Sequence, residues 1–150
     1  RNYPENGGSK FYWAHNAHVG DWVGNGIVDV TGHQLRKIYG ESYFNIATDF
    51  GLGEFLAFST DGKMKPFSYD KIMENTFTEC LKKFGNPNTF LNIRKARKDK
   101  TLYEFLNMPI TTMSGAGAQV RNSQTETQEI GNAFDGIIYL DRTTKINWAK

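Results

Sequence analysis

Apolar positions recur at helical spacing most clearly between Met73 and Phe84, where Met73, Phe77, Cys80, Leu81 and Phe84 share one stripe. The pattern predicts a helix entered after Pro66, with Ser68 as N-cap, Phe67 and Ile72 as a hydrophobic staple, and Gly85 as its stop. A second helix is predicted from an N-cap at Thr31, through Leu35 and Ile38, to Gly40. Thr101 to Leu106 predicts a third, ended near Pro109. Five apolar runs have strand length: Lys10 to Ala14, Tyr43 to Thr48, Glu54 to Ser59, Thr89 to Ile93 and Phe134 to Leu140. Gly51-Leu52-Gly53 reads as a turn between the second and third. Ser114 to Asn132, rich in Gly, Ser, Gln and Thr, reads as a long surface loop. Strands separated by helices predict an α/β fold, a layered, largely parallel sheet flanked by helices, with residues 1–150 as one domain.

The aromatic share of 14% predicts a bulky core and argues against disorder. A net charge of +2 is too small to point to nucleic acid or a membrane surface, and neither is expected as a partner. The basic residues from Arg94 to Lys100 are expected on a solvated loop, since no aromatic interleaving suggests base stacking. No apolar run approaches the roughly 18–20 residues that cross a bilayer. The single cysteine, Cys80, excludes an internal disulfide and fits a reducing, cytoplasmic compartment. Its place on the apolar stripe predicts a buried, inert thiol.

Candidate chemistry concentrates at His15 and His18, two of only three histidines, immediately after the first predicted strand. Ligands of α/β sheets bind outside the carboxyl ends of strands, so this is where an active site is expected. A neutral imidazole there can take a proton from water, and an imidazolium can stabilise an oxyanion. Asn16 and Asp21 are placed to orient an imidazole or hold a polar substrate. From spacing alone, two structural histidines at a strand end explain the pattern about equally well. Metal binding by His15 and His18, with His33 brought back by the fold, is a weaker alternative, because no His-Glu-x-x-His motif or cysteine pair accompanies them. There is no nucleophile elbow, dinucleotide fingerprint or Walker lysine, so neither cofactor nor metal is expected.

The run Trp13-Ala14-His15-Asn16-Ala17-His18-Val19-Gly20 is followed by Thr31-Gly32-His33-Gln34-Leu35-Arg36, Tyr39-Gly40, Tyr43 to Phe50, Gly53-Glu54-Phe55 and Phe134 to Thr144. In order and spacing these blocks resemble the erythromycin esterase family. The resemblance implies a metal-independent hydrolase in which histidine-activated water opens a macrolide lactone or a similar small-molecule ester, without a covalent acyl-enzyme. Position by position, His15 and His18 match the family's second histidine motif. His15 is thus expected to position water or polarise the ester, with His18 supporting it. The resemblance also implies a further catalytic histidine, followed by an acidic residue, in an N-terminal half that nothing before Lys10 matches. The chain is therefore expected to be the C-terminal part of a longer protein, completed by that half or by self-association through an open sheet edge. A non-catalytic binding or regulatory module on the same fold is the alternative expectation.

Overall fold

A computed structural model describes residues 8–23, 29–112 and 126–145. The elements are helix α1 (Asn16–Val19), α2 (Thr31–Tyr39), strands β1 (Ile46–Phe58) and β2 (Met64–Tyr69), α3 (Phe77–Lys83), β3 (Asn88–Leu91), α4 (Ile93–Ala96), α5 (Lys100–Leu106), β4 (Ile110–Thr112), β5 (Glu126–Gln128), α6 (Ile130–Ala133) and β6 (Gly136–Thr143). The main sheet has the order β2-β1-β6-β3, and β4 pairs with β5 separately. The α/β class holds, with a mixed sheet. The central pair β1 and β6 is parallel, whereas β2 and β3 add antiparallel to its two sides.

The sequence expectation divided β1 into two strands around Gly51-Leu52-Gly53. In the structure those glycines continue the strand because other atoms occupy the space a side chain would need. A Cβ on Gly51 would stand 2.7 Å from the Tyr139 hydroxyl and 2.9 Å from the Ile72 Cδ1. Gly53 has φ 122° and lies so close to Thr143 that a Cβ would strike its backbone, a combination only glycine tolerates. Glycine here marks close strand approach. Pro66, expected just before a helix, sits inside β2 opposite Leu56. An edge strand accepts proline because its outer N–H has no ladder partner to lose. Phe67 and Tyr69 turn inward and Ser68 outward, the period of two that a strand imposes. The helix therefore starts later, at Phe77, where the Thr76 hydroxyl accepts from the Glu79 N–H and the Glu79 carboxylate accepts from the Asn75 N–H. This near-reciprocal pair resembles a capping box. Gly85, with φ 81°, follows its end as expected.

Three further expectations are corrected. Lys10 to Ala14 is irregular rather than a strand, and Phe11 and Trp13 are 84% and 80% exposed, so burial offers nothing to hold an extended pairing there. Cys80 is exposed, because α3 turns Phe77, Thr78 and Leu81 inward. Thr31 lies inside α2 rather than at its cap, which Val30 occupies. Most of 114–132 lies outside the described residues, and its described end contains β5 and α6.

One face of the sheet carries the core. Ala47, Ile137 and Tyr139 of the central pair meet Phe77 and Leu81 of α3, Ile93 of α4, Leu106 of α5, and Ile130, Ala133 and Phe134 around α6. A smaller cluster stacks Phe50, Phe55 and Ile72 around Tyr69, with ring centroids 5.0–5.6 Å apart. On the other face Ile46, Phe90 and Leu140 remain 37–52% exposed. Asp49 points into the core side at 1% exposure and accepts from the Thr78 hydroxyl at 2.6 Å, which ties α3 to β1.

A buried carboxylate organises the end of the sheet where β1 and β6 begin. Asp135, 1% exposed, accepts from Arg36 Nη2 at 2.6 Å, Arg94 Nε at 3.0 Å and the Asn45 N–H at 3.1 Å, with Arg97 Nη1 at 3.9 Å. Arg94 and Arg97 were expected on a solvated loop. Arg94 instead lies in α4 and Arg97 at its C-cap, and both turn toward this charge, because a buried carboxylate needs partnered cations. Asn45 adds its side chain, donating to the carbonyls of Val19 and Ala133 and accepting from the Asp135 N–H. Burial pushes the Asp135 carboxyl up, but the hydrogen bonds from Arg94, Arg36 and Asn45 outweigh it and hold the carboxyl below its ordinary 3.8. A depressed acid contributes stability that is present above its unfolded pKa and lost as pH falls through the folded one. Asp135→Asn is expected to lower unfolding free energy at pH 7 by about 3 kcal/mol, the low end for a broken buried pair because Arg36 and Arg94 keep some water. Urea titrations should show the gap between parent and variant closing below pH 3.8. Parallel curves would contradict the linkage.

Candidate active site

Both histidines of the His-x-x-His run lie on or beside one helical turn. His15 is the N-cap of α1, extended at φ −61° and ψ 152°, and its Nδ1 accepts from the Ala17 N–H at 3.1 Å. The His18 N–H donates to the His15 carbonyl at 2.8 Å and closes the turn. Asn16 points the other way. At 6% exposure its Nδ2 donates to the Thr48 carbonyl at 2.7 Å and its Oδ1 accepts from the Thr48 N–H at 2.9 Å. The carboxamide thus substitutes for a neighbouring strand along the part of β1 that β2 does not reach. Asn16 fixes the turn against β1. The end of the turn is fixed as firmly: the Val19 carbonyl accepts from the Tyr43 hydroxyl and the Asn45 side chain, both at 2.8 Å.

This anchoring sets the chemistry of His15. An Nδ1 that accepts from a backbone N–H carries a lone pair, so the neutral ring holds its proton on Nε2. His15 consequently presents a donor to the outside, while the backbone uses its acceptor nitrogen. Desolvation by the surrounding chain, and secondarily the neighbouring charge of His18, lower its pKa from 6.5. Both effects favour the neutral ring. Both side chains are exposed enough to meet a ligand.

Asp21 does orient an imidazole, but the imidazole is that of His33. Its Oδ1 lies 2.8 Å from His33 Nδ1 and its Oδ2 accepts from Arg36 Nε at 3.2 Å. Arg36 reaches on to Asp135. His33 and Asp21 come together because Gly32 packs α2 against the carbonyls of Val19 and Gly20, where any side chain would collide. Sequence reading missed this pairing and Arg36. Twelve positions along the chain from Asp21 to His33 are closed in part by the packing of Gly32 on Val19 and Gly20. No group of three or more His, Cys, Asp or Glu able to hold a metal occurs among the described residues. No helix among them is long and apolar enough to cross a membrane.

Lys10 to Ala14 forms no strand, so His15 does not stand at the end of one. Near the carboxyl ends of β1 and β6 lies instead an open cavity of about 330 Å³, lined by Phe50, Glu54, Phe55, Leu56, Met64, Thr143, Thr144 and Lys145. It shares no lining residue with the histidine turn. In an NMR titration His15 is expected to titrate below 6.5, and His18→Asn to move its midpoint back toward that value. A midpoint at or above 6.5 in the parent chain would contradict the donor assignment.

No curated protein matches the chain. Two solved structures share its fold. One is a protein from Bacillus cereus, at 23% identity and TM-score 0.75 over 88% of this chain and 33% of that one. The other is described as a succinoglycan biosynthesis protein, at 20% identity and TM-score 0.71 over 88% of this chain and 32% of that one. The chain therefore spans about a third of the length of each. The family model described as erythromycin esterase matches residues 2–143, which takes in the histidine turn, Asp21, His33 and the Asp135 cluster. With nearly the whole chain inside that match, this protein belongs to the erythromycin esterase family.

Proposed function

We propose that this chain serves in hydrolysis of a carboxylic ester, a macrolide lactone or a similarly bulky ester, with His15 as the hydrogen-bond donor to the reacting oxygen. Family membership supports the hydrolase class. The observation that carries the finer reading is the N-cap bond from the Ala17 N–H to His15 Nδ1, which leaves Nε2–H as the outward group. A donor held in place before reaction stabilises negative charge developing on a carbonyl oxygen without reorganising. The depressed pKa keeps the ring a neutral donor through the neutral range. His18, three residues further along the turn, is a second exposed imidazole beside it. Phe11 and Trp13, with ring centroids 6.1 Å apart and both largely exposed, offer apolar surface just before the histidines, which suits a bulky apolar ester.

Mass spectrometry of a macrolide incubated with the protein tests this reading. The parent chain is expected to add one water to the lactone, and His15→Ala to lose that activity by about 10²-fold or more, the scale of a lost oxyanion donor. His15→Asn separates chemistry from structure. Asparagine caps helices well, so this variant should keep parent stability while losing activity, whereas His15→Ala should also lose about 1 kcal/mol. Full turnover by His15→Asn would remove the imidazole from the mechanism. Tight macrolide binding without product would favour a non-catalytic binding module.

A further inference from the structure

Asn16 is the first residue of α1, between the exposed His15 and His18, yet it is buried. A polar side chain keeps such a place only when its groups are matched. Its Nδ2 donates to the Thr48 carbonyl at 2.7 Å and its Oδ1 accepts from the Thr48 N–H at 2.9 Å, with the Thr48 hydroxyl 3.4 Å from the same oxygen. Thr48 is itself held in the central strand pair, opposite Ile138 of β6. Only a carboxamide side chain sets a donor and an acceptor side by side as a peptide group does. Aspartate at this position keeps the acceptor and loses the donor, and alanine loses both.

The bonds that hold the His15 ring lie within the turn: Nδ1 accepts from the Ala17 N–H, and the His15 carbonyl accepts from the His18 N–H. They fix the imidazole relative to the turn and say nothing of where the turn sits. A single helical turn has too few internal bonds to hold its own shape, so its seat on the sheet decides both. At the far end that seat is the Val19 carbonyl, bound by Tyr43 and Asn45. At the near end it is the Asn16 carboxamide, one residue from His15. A donor stabilises developing charge to the extent that it is aimed before reaction begins. The aim of His15 therefore passes through Asn16.

We propose that Asn16 is a positioning residue of the ester-hydrolysing site, holding the His15 Nε2–H donor in the tautomer and orientation that the reacting oxygen needs. The proposal rests on the reading of His15 as that donor and deepens it. Asn16 acts through the backbone of the turn and through Thr48, not through the ester. Its loss therefore weakens stabilisation of the transition state more than binding of the substrate, which places the effect in kcat rather than KM.

The test joins a spectrum to kinetics. Long-range ¹H–¹⁵N correlations of the ¹⁵N-labelled protein should show His15 as the Nε2–H tautomer in the parent and as a mixture in Asn16→Ala. The signals of His33, which Asp21 holds elsewhere, should not move. Macrolide turnover by Asn16→Ala should fall about 10-fold to 10²-fold in kcat with KM little changed, the scale of a misplaced catalytic group. Asn16→Asp, alike in shape and still accepting from the Thr48 N–H, should fall between the two, and it carries the same reading where the alanine variant does not fold. Parent-like kcat, or an unchanged His15 tautomer, in the folded variants overturns the proposal and leaves the role of His15 standing. Movement of His15 and His33 signals together marks general loosening and also overturns it. Absence of turnover in the parent overturns the ester-hydrolase reading instead, and the His15 spectrum of Asn16→Ala then decides by itself whether Asn16 holds the ring.

Discussion

Asp135 holds a carboxylate where water barely reaches it, and the cost of that burial is met by cations drawn from elements far apart in the chain. Arg36 comes from α2, and Arg94 and Arg97 from the turn around α4. The Asn45 backbone, immediately before β1, closes the carboxylate, and the Asn45 side chain reaches Val19 and Ala133. One buried charge therefore fixes the start of the parallel strand pair, the end of the histidine turn and the approach of α2. Removing it would take from Arg36 and Arg94 the buried carboxylate they share and leave the Asn45 N–H without that acceptor, a penalty larger than the net value of the bonds themselves.

The histidine turn inherits its position from this framework. Asn16 binds the turn to β1 through Thr48, and Asn45 and Tyr43 bind its end through Val19. Because the backbone is fixed at both ends, the N-cap bond can fix the tautomer of His15. The same framework braces Asp21 through Arg36, and Asp21 in turn orients His33. Buried polar groups here serve specificity of arrangement more than net stability, since each hydrogen bond replaces one to water. The apolar helix layer supplies the driving force for folding, and the polar layer decides which nitrogen faces outward.

The differences between sequence expectation and structure follow the same physics. The stripe from Met73 to Phe84 was legible as a helix, and the stop at Gly85 was placed correctly, but the cap was not. Thr76 and Glu79 carried the capping signature. Pro66 and Ser68 masked it by offering a plausible earlier start, and the alternation of Phe67 and Tyr69 was the signal of a strand. Gly51 and Gly53 looked like a turn because glycine frees the backbone. Their actual cause, Tyr139 and Thr143 crowding from β6 some ninety residues later, has no local trace. Arg94 and Arg97 looked solvated because their acid lies about forty residues away.

By itself, the sequence determined the α/β class, the helix over α2, most of α3 and α5, the approximate strands β3 and β6, and the family through the blocks around His15, Thr31 and Phe134. These are local properties, set by side-chain periodicity and backbone preference over a few residues. Tertiary structure decided the mixed pairing of the sheet, the single long β1, the inward turn of Asn16, the tautomer of His15 and the meeting of Asp21 with His33. Each of these depends on which distant groups satisfy a buried donor, acceptor or charge. Such a partner is fixed only when the chain closes on itself, as Gly32 closes on Val19 and Gly20.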